Sequence, residues 1–373
     1  MKKIGRKSFI RQLSTVSAAS LVAASCGPGS NESSSTAPNI ISNKKYRWYM
    51  VTTWPPNFPI IGTGINRFAE LVNIMSQGQL EIRVYGGGEL IPPLEVFDAV
   101  SSGTAQIGHG ASYYWTGKVP AAQFFTTVPF GLNSQQQSAW IHHGGGIELW
   151  KKIYESYNLV PFVAGNTNIQ MGGWFNKEIN TVEDFQSLKM RIPGLAGKIL
   201  KEVGATPVLV AGGEIYTNLE RGVIDATEWL GPFHDQLMGF QRIAKYYYTP
   251  GWHEPGSSLE LIVNKKDFDG LPDHLKAILE VCAGHLNDQM GSEFLWKNAQ
   301  ALEEMKNNSK LDIRTFDDSV LAALQNKTKE TLENLSSEDD LIKEVFNSYS
   351  NFGKTIRPYS DISEKLYYTM LTS

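Results

Sequence analysis

The sequence predicts an α/β protein of two domains joined by crossings of the chain, a hinged clamshell with helices at its C-terminal end. Three observations predict this. Strand-like and helix-like runs alternate from Tyr46 onward, an order that calls for right-handed crossovers and a largely parallel sheet. The alternation shifts after Leu159 and builds a second α/β unit over residues 167–255. The apolar run Leu259–Asn264 then reads as a strand returning to the first unit. With 373 residues, 42% of them hydrophobic, the chain is long enough to bury two cores.

Each element has its own signal. Tyr46–Thr53 alternates as a strand and ends at Trp54-Pro55-Pro56. Ile65, Phe68, Ala69, Leu71, Val72 and Met75 recur at helical spacing, and Gln77-Gly78 closes that helix. Leu80–Tyr85 is a second strand turned by Gly86-Gly87-Gly88, Leu94–Val100 a helix stopped by Gly103, and Gln106–Gly110 a short third strand. Val160–Gly165 and Gln170–Phe175 are strands, and Thr181 caps a short helix with a reciprocal acidic group three residues on. Strands follow at Leu188–Ile192 and Pro207–Val210, with helices at Ala196–Val203 and Gly213–Arg221. From Pro272 the chain reads as helices at His274–Ser292, Glu293–Asn307, Ser319–Leu335 and Asp340–Tyr349, with a strand at Leu311–Phe316. The expected division is domain I over 45–166 and 256–297, and domain II over 167–255 and 298–373.

The N-terminus reads as a targeting segment. Lys2, Lys3, Arg6, Lys7 and Arg11 precede a weakly apolar stretch, Leu13–Ala24, too short and too polar to span a bilayer. Ala23-Ala24-Ser25-Cys26 is similar to a bacterial lipobox, so residues 1–26 are expected to be a lipoprotein-type signal peptide with Cys26 as the lipidation site. Ala23 stands where that pattern prefers Leu, and ordinary signal cleavage is the alternative. Residues 27–44, rich in Ser, Asn, Pro and Gly, read as a disordered tether. Cys282, the other cysteine, lies in an apolar helical pattern and reads as a small buried hydrophobe. A net charge of −4 without a basic block argues against nucleic acid as a partner.

One stretch stands out, Asp225-Ala226-Thr227-Glu228-Trp229-Leu230-Gly231-Pro232-Phe233-His234-Asp235. An apolar run is interrupted by the carboxylate of Glu228, and Gly231-Pro232 then stops any regular element. A strand end that runs into such a turn can aim a carboxylate and backbone carbonyls into a cleft, which suits a hard cation; a capped strand with Glu228 on a solvated face is the plainer alternative. Two stretches stand at the carboxyl edge where open α/β sheets bind ligands, Thr53-Trp54-Pro55-Pro56 and, just after the third strand, the one that holds Tyr113 and Tyr114. The tyrosine hydroxyls can hydrogen-bond a carboxylate while the rings exclude water; an aromatic patch packed under a loop is the alternative. The triple glycines lack the spacing of phosphate loops, no histidine pair has a zinc spacing such as HExxH, and no GxSxG elbow is present.

Around this stretch stand Asn166-Thr167-Asn168-Ile169-Gln170-Met171-Gly172-Gly173-Trp174-Phe175, Met190-Arg191-Ile192-Pro193-Gly194, Gly212-Gly213-Glu214-Ile215-Tyr216, Tyr246-Tyr247-Tyr248 and Gly251-Trp252-His253-Glu254. In that order and spacing they resemble the substrate-binding proteins of tripartite ATP-independent periplasmic (TRAP) transporters, the DctP-type family, over about residues 45–345. Within it they are most similar to the branch that binds 2-oxo acids or lactate with a metal ion. The resemblance implies a periplasmic-binding-protein-like clamshell with a hinge, an extracytoplasmic location (lipid-anchored if the lipobox at Cys26 holds), no enzymatic activity, and delivery of a small monocarboxylate to membrane subunits. It implies that Arg191 grips the substrate carboxylate, with Gln170, Tyr113, Tyr114, Glu228 and Glu254 also at the ligand. It places a cation, Na⁺ or Ca²⁺, on Gln170, Glu228, the Trp229 carbonyl and Glu254. Two glutamates and a substrate anion carry −3 and Arg191 +1, so Ca²⁺ would neutralise the site and Na⁺ would leave −1; one shifted pKa erases that difference. A homodimer through exchange of the C-terminal helix is known in the resembled branch. The alternatives are a binder of a larger or dicarboxylic acid, and an enzyme on the same clamshell with Glu228 or Glu254 as general base.

Overall fold

The computed structural model describes residues 44–307 and 311–371; the signal segment, Cys26 and the Ser-rich stretch lie outside them. In chain order the strands are β1 (Tyr46–Thr52), β2 (Leu80–Tyr85), β3 (Ile107–Gly110), β4 (Leu159–Asn166), β5 (Gly173–Phe175), β6 (Lys189–Arg191), β7 (Thr206–Val208), β8 (Ala226–Thr227), β9 (Tyr246–Thr249), β10 (Ser258–Asn264) and β11 (Asp312–Thr315). They form two sheets flanked by helices, one ordered β2-β1-β3-β10-β4 and the other β11-β9-β5-β8-β6-β7.

In the first sheet β1, β2 and β3 are parallel, as the alternation of strand and helix requires. The expectation of a largely parallel sheet fails at β10, which runs antiparallel to both β3 and β4. The chain enters β10 from the second sheet, so no helical crossover sets its direction. Every residue of β10 is buried, which is why its apolar run is nearly continuous. In the second sheet β6, β7 and β8 are parallel, and β5 runs antiparallel to β8 and β9.

Two helices expected from Pro272 onward are one, Asp273–Lys306. Gly291, which invites a break, is instead a point of contact: a Cβ there would lie 2.7 Å from the side chain of Asn166. Asn166 and Asn168 donate from their amides to Asn287 and Gly291 of this helix, tying it to the segment that leaves β4. The same helix packs on β4, on the helix Ile61–Met75 and on the helix Pro232–Met238. It therefore braces both sheets, and the expected domain boundary at 297/298 falls inside it.

The C-terminal helices also depart from the expected division. The helix Asp318–Glu338 packs on Gly194–Glu202 of the second unit, but Asp340–Ser360 packs on the helices of the first. Val345 and Tyr349 bury themselves beside Phe124 and Trp140, and the Tyr349 hydroxyl accepts from Leu132 N at 2.7 Å. An amphipathic helix goes where a matching apolar face is free, and sequence order does not specify which face that is. Cys282 is buried, as expected, and burial pushes its thiol up to about 11.

Candidate ligand and cation site

Three parts of the chain converge between the sheets. The first sheet supplies Trp54, just after β1, and Tyr113 and Tyr114, on the turn of 3₁₀ helix Ser112–Trp115 that follows β3. The second sheet supplies Arg191 at the end of β6 and Glu228 and Trp229 just past β8. The segments that cross between sheets supply Gln170, His253 and Glu254. Gln170 was expected within a strand, but β5 begins only at Gly173. Gln170 sits in the irregular crossing, where its N–H donates to the Glu254 carbonyl at 3.1 Å.

Arg191, Glu228, Gln170, Glu254, Trp229 and Tyr113 are all buried, and Tyr114 is partly so. Arg191 Nη1 donates to Glu228 Oε1 in an ion pair sealed from solvent. Its remaining contacts are longer: Nε to the Val210 carbonyl at 3.4 Å and Nη2 to the Tyr114 hydroxyl at 3.5 Å. The guanidinium also faces the Trp229 ring at 5.1 Å, and its pKa is raised by Glu228 against the opposing effect of burial. Gly194 closes the Met190–Gly194 motif with φ +62°, and a Cβ there would lie 3.1 Å from the Tyr113 side chain. That position takes glycine for both reasons.

Glu254 is held by two neighbours close in sequence or space. Its Oε2 accepts from Gln170 Nε2 at 2.7 Å and from the Ser257 hydroxyl. Gln170 Nε2 also donates to Thr167 Oγ1 at 3.1 Å. Burial, and then the charge of Glu228, push the Glu254 carboxyl up to about 7. Oxygen or nitrogen atoms of Glu228, Glu254 and His253 lie within 4.8 Å of one another. Several buried polar atoms here have no hydrogen-bond partner: Glu228 Oε2, Gln170 Oε1, Trp229 Nε1 and both ring nitrogens of His253. His253 Nε2 faces Glu228 Oε2 at 3.5 Å without forming a hydrogen bond.

These atoms fit a cation by their chemistry. Buried donors and acceptors are normally paired, and here two orphaned oxygens, Glu228 Oε2 and Gln170 Oε1, and the orphaned imidazole of His253 stand beside two carboxylates. Two unit negative charges at such a separation repel by on the order of 3–4 kcal/mol at an effective dielectric of about 20. A positive ion among them removes that cost, and carboxylate and amide oxygens suit a hard one.

Sequence reasoning put Gln170, Arg191, Tyr113, Tyr114, Glu228, Trp229 and Glu254 at one site, and the structure brings them together. It missed the direct Arg191–Glu228 pair and the buttresses Thr167 and Ser257; Trp54, expected at the ligand edge, has its ring against those of Tyr114 and Trp229 at 6.2 and 6.4 Å. Ser257 had a visible signal, a hydroxyl three residues after Glu254 beyond Pro255-Gly256. His253, the sequence neighbour of Glu254, lies among the orphaned atoms.

The profile of the bacterial extracellular solute-binding protein family 7, DctP, matches residues 50–339. A monocarboxylate 2-oxoacid-binding periplasmic protein of Nostoc sp. is 39% identical over 329 residues, 88% of this chain and 89% of its own length. A TRAP periplasmic solute-binding protein of Pseudoalteromonas atlantica, with bound sodium and pyruvate, superimposes with a TM-score of 0.86 at 43% identity, covering 87% of this chain and 99% of its own. One from Colwellia psychrerythraea, with bound calcium and pyruvate, gives 0.85 at 44% identity with the same coverage.

Two α/β sheets with a buried polar site between them, reached by crossings of the chain, are the architecture of the periplasmic-binding-protein class, and the family matched is one of receptors, not enzymes. The chain belongs to the bacterial extracellular solute-binding protein family 7, the DctP family of TRAP transporter receptors. Its place is extracytoplasmic, and among the described residues no helix is long and apolar enough to cross a membrane.

Proposed function

We propose that this chain captures a small 2-oxo monocarboxylate, pyruvate or a near analogue, together with Na⁺ or Ca²⁺, and delivers it to TRAP membrane subunits. The observation that carries the reading is the set of orphaned buried atoms, Glu228 Oε2 and Gln170 Oε1, beside the carboxylates of Glu228 and Glu254. Gln170, Glu228, the Trp229 carbonyl and Glu254 would hold the cation, which supplies positive charge opposite the keto oxygen. Arg191 has N–H donors engaged only by long contacts, and it offers them to the substrate carboxylate. Tyr113 and Tyr114 close the other side and exclude water.

Acid and cation would then bind cooperatively, each raising the affinity for the other by the same factor. The deciding experiment pairs mass spectrometry of co-purifying ligand and metal with calorimetry of pyruvate binding. Thermal stabilisation by pyruvate should collapse when Na⁺ and Ca²⁺ are removed and return with the right ion. Undiminished pyruvate binding in buffer free of both ions overturns the reading.

Three further features belong to the same proposal. The two sheets would be the two lobes of the clamshell, moving about the crossings 166–173 and 249–258. Cys26 would carry a lipid anchor, and Cys26→Ser should release the protein from the membrane fraction. The exposed Tyr359, Ile362, Leu366 and Tyr367 near the C-terminus would be covered in a homodimer through helix exchange, which light scattering tests by mass.

A further inference from the structure

We propose that His253 gives an imidazole nitrogen to the cation, and that the site therefore takes first-row divalent ions such as Mn²⁺, Co²⁺ and Zn²⁺ besides Na⁺ and Ca²⁺. The inference rests on the cation reading above and adds a ligand to it.

His253 is fully buried, yet neither ring nitrogen has a hydrogen-bond partner. A buried imidazole left so is costly, and another buried histidine of the same molecule shows the usual remedy. Both nitrogens of His109 are engaged, Nδ1 by Trp54 Nε1 at 2.8 Å and Nε2 by the Ala164 carbonyl at 2.9 Å. His253 has carboxylates instead. One imidazole nitrogen and one oxygen each of Glu228 and Glu254 lie within 4.8 Å of one another, and Nε2 stands 3.5 Å from Glu228 Oε2. Donors bound to one ion at about 2.0–2.4 Å stand about 3–5 Å apart, so this spacing suits a shared ion better than a hydrogen bond.

The ring is held in place by its neighbours. Trp252 stacks on Phe130 with ring centroids 5.6 Å apart, and its carbonyl accepts from Phe130 N at 2.8 Å. On the other side the Glu254 backbone is tied to Gln170 N at 3.1 Å. The peptide on each side of His253 is thus fixed, which gives a ligand its direction. An all-oxygen site favours Na⁺ or Ca²⁺, whereas an imidazole among carboxylates suits later ions, with affinity rising from Mn²⁺ through Co²⁺.

The test uses the whole protein stripped with a chelator. Cobalt is titrated and followed by its visible d–d absorption, then displaced with Ca²⁺. The expected result is one Co²⁺ site that Ca²⁺ empties. The ¹H NMR spectrum should show a hyperfine-shifted exchangeable imidazole N–H. His253→Gln should lose that resonance and weaken Co²⁺ by at least about 10–100-fold, the loss that even an outer-shell partner of a metal ligand brings. Its Ca²⁺ affinity should fall by less than about threefold. Wild-type protein that binds no Co²⁺, binds it without competition from Ca²⁺, or shows no shifted imidazole proton overturns the inference. So does His253→Gln with an unchanged Co²⁺ spectrum and affinity. The NMR readout needs only wild type, so the inference stays testable even if the variant does not fold. Calcium-dependent pyruvate binding, measured beside it, separates this failure from failure of the proposed function: if it persists, only the imidazole ligand is wrong.

Discussion

Glu228 and Asp235 belong to one short stretch, both are buried, and they are opposite kinds of carboxylate. Asp235 is fully satisfied. Its Oδ1 accepts from Leu230 N and Gly231 N, both at 3.2 Å, and its Oδ2 from Trp174 Nε1 at 3.0 Å and the Tyr247 hydroxyl at 2.7 Å. Glu228 has Arg191 on one oxygen and no hydrogen bond on the other. Glu260 and Glu254 repeat the contrast. Glu260 accepts from Trp115 Nε1 on one oxygen and from the Tyr154 hydroxyl at 2.9 Å on the other, in a setting of aromatic rings. Glu254 shares its space with a second carboxylate and an unpartnered imidazole. Burial of a carboxylate therefore says little about its role. Asp235 and Glu260 use their oxygens to fix the fold, while Glu228 leaves one oxygen without a protein partner beside Glu254.

The largest effect that tests this contrast is at Arg191. Arg191→Met leaves Glu228 buried beside Glu254 without its counter-charge, and breaking a buried pair in this way costs about 3–5 kcal/mol. Pyruvate affinity should fall by on the order of 2–5 kcal/mol as the ligand loses its charged partner. Calorimetry that shows an unchanged affinity would break the functional half of the comparison.

Asp235→Ala should do the reverse. It strands the donors of Trp174 and Tyr247 and two backbone N–H groups, for a loss on the order of 3 kcal/mol in urea unfolding. Pyruvate affinity of the folded fraction should stay within about threefold, because none of these groups is among the orphaned atoms at the site. A variant of normal stability, or one that folds but loses its metal dependence, would erase the distinction.

The smallest effect is on the pH dependence of the ligand-free protein. Burial raises Asp235 from 3.8 to about 6 and Glu260 from 4.5 to about 7. With folded pKa values above the unfolded ones, the folded state holds the extra protons. The contribution of these groups is thus fully present below about pH 4 and is lost as pH rises through about 6 for Asp235 and about 7 for Glu260. Urea midpoints measured across that window in Glu260→Gln should show a shallower decline than wild type. An equal slope in both would place the titration elsewhere.

Much of the site was legible because its chemistry is local. Arg191 stands between a strand and Pro193-Gly194, Glu228 interrupts an apolar run before Gly231-Pro232, and Glu254 follows an aromatic turn. Each irregularity marks a place where a side chain is aimed rather than packed. The short strands and the Thr181 cap were legible for the same reason: the Thr181–Asp184 capping box involves atoms only three residues apart. Glu260 left a signal too, a charge inside Leu259–Val263, but the sequence could not tell whether its partners would be rings or an ion.

By itself the sequence determined two alternating α/β units, a return strand, and which residue types carry charge into apolar runs. Those follow from periods of two and 3.6 residues and from turn chemistry, all short-range. Only the tertiary structure decided the antiparallel direction of β10, the unbroken helix at Gly291 and the docking of Asp340–Ser360 on the first unit. It alone decided that Arg191 meets Glu228 and that His253 faces both carboxylates. The reason is common to all of them: direction, docking face and charge pairing depend on which distant surface arrives, and no local period encodes that.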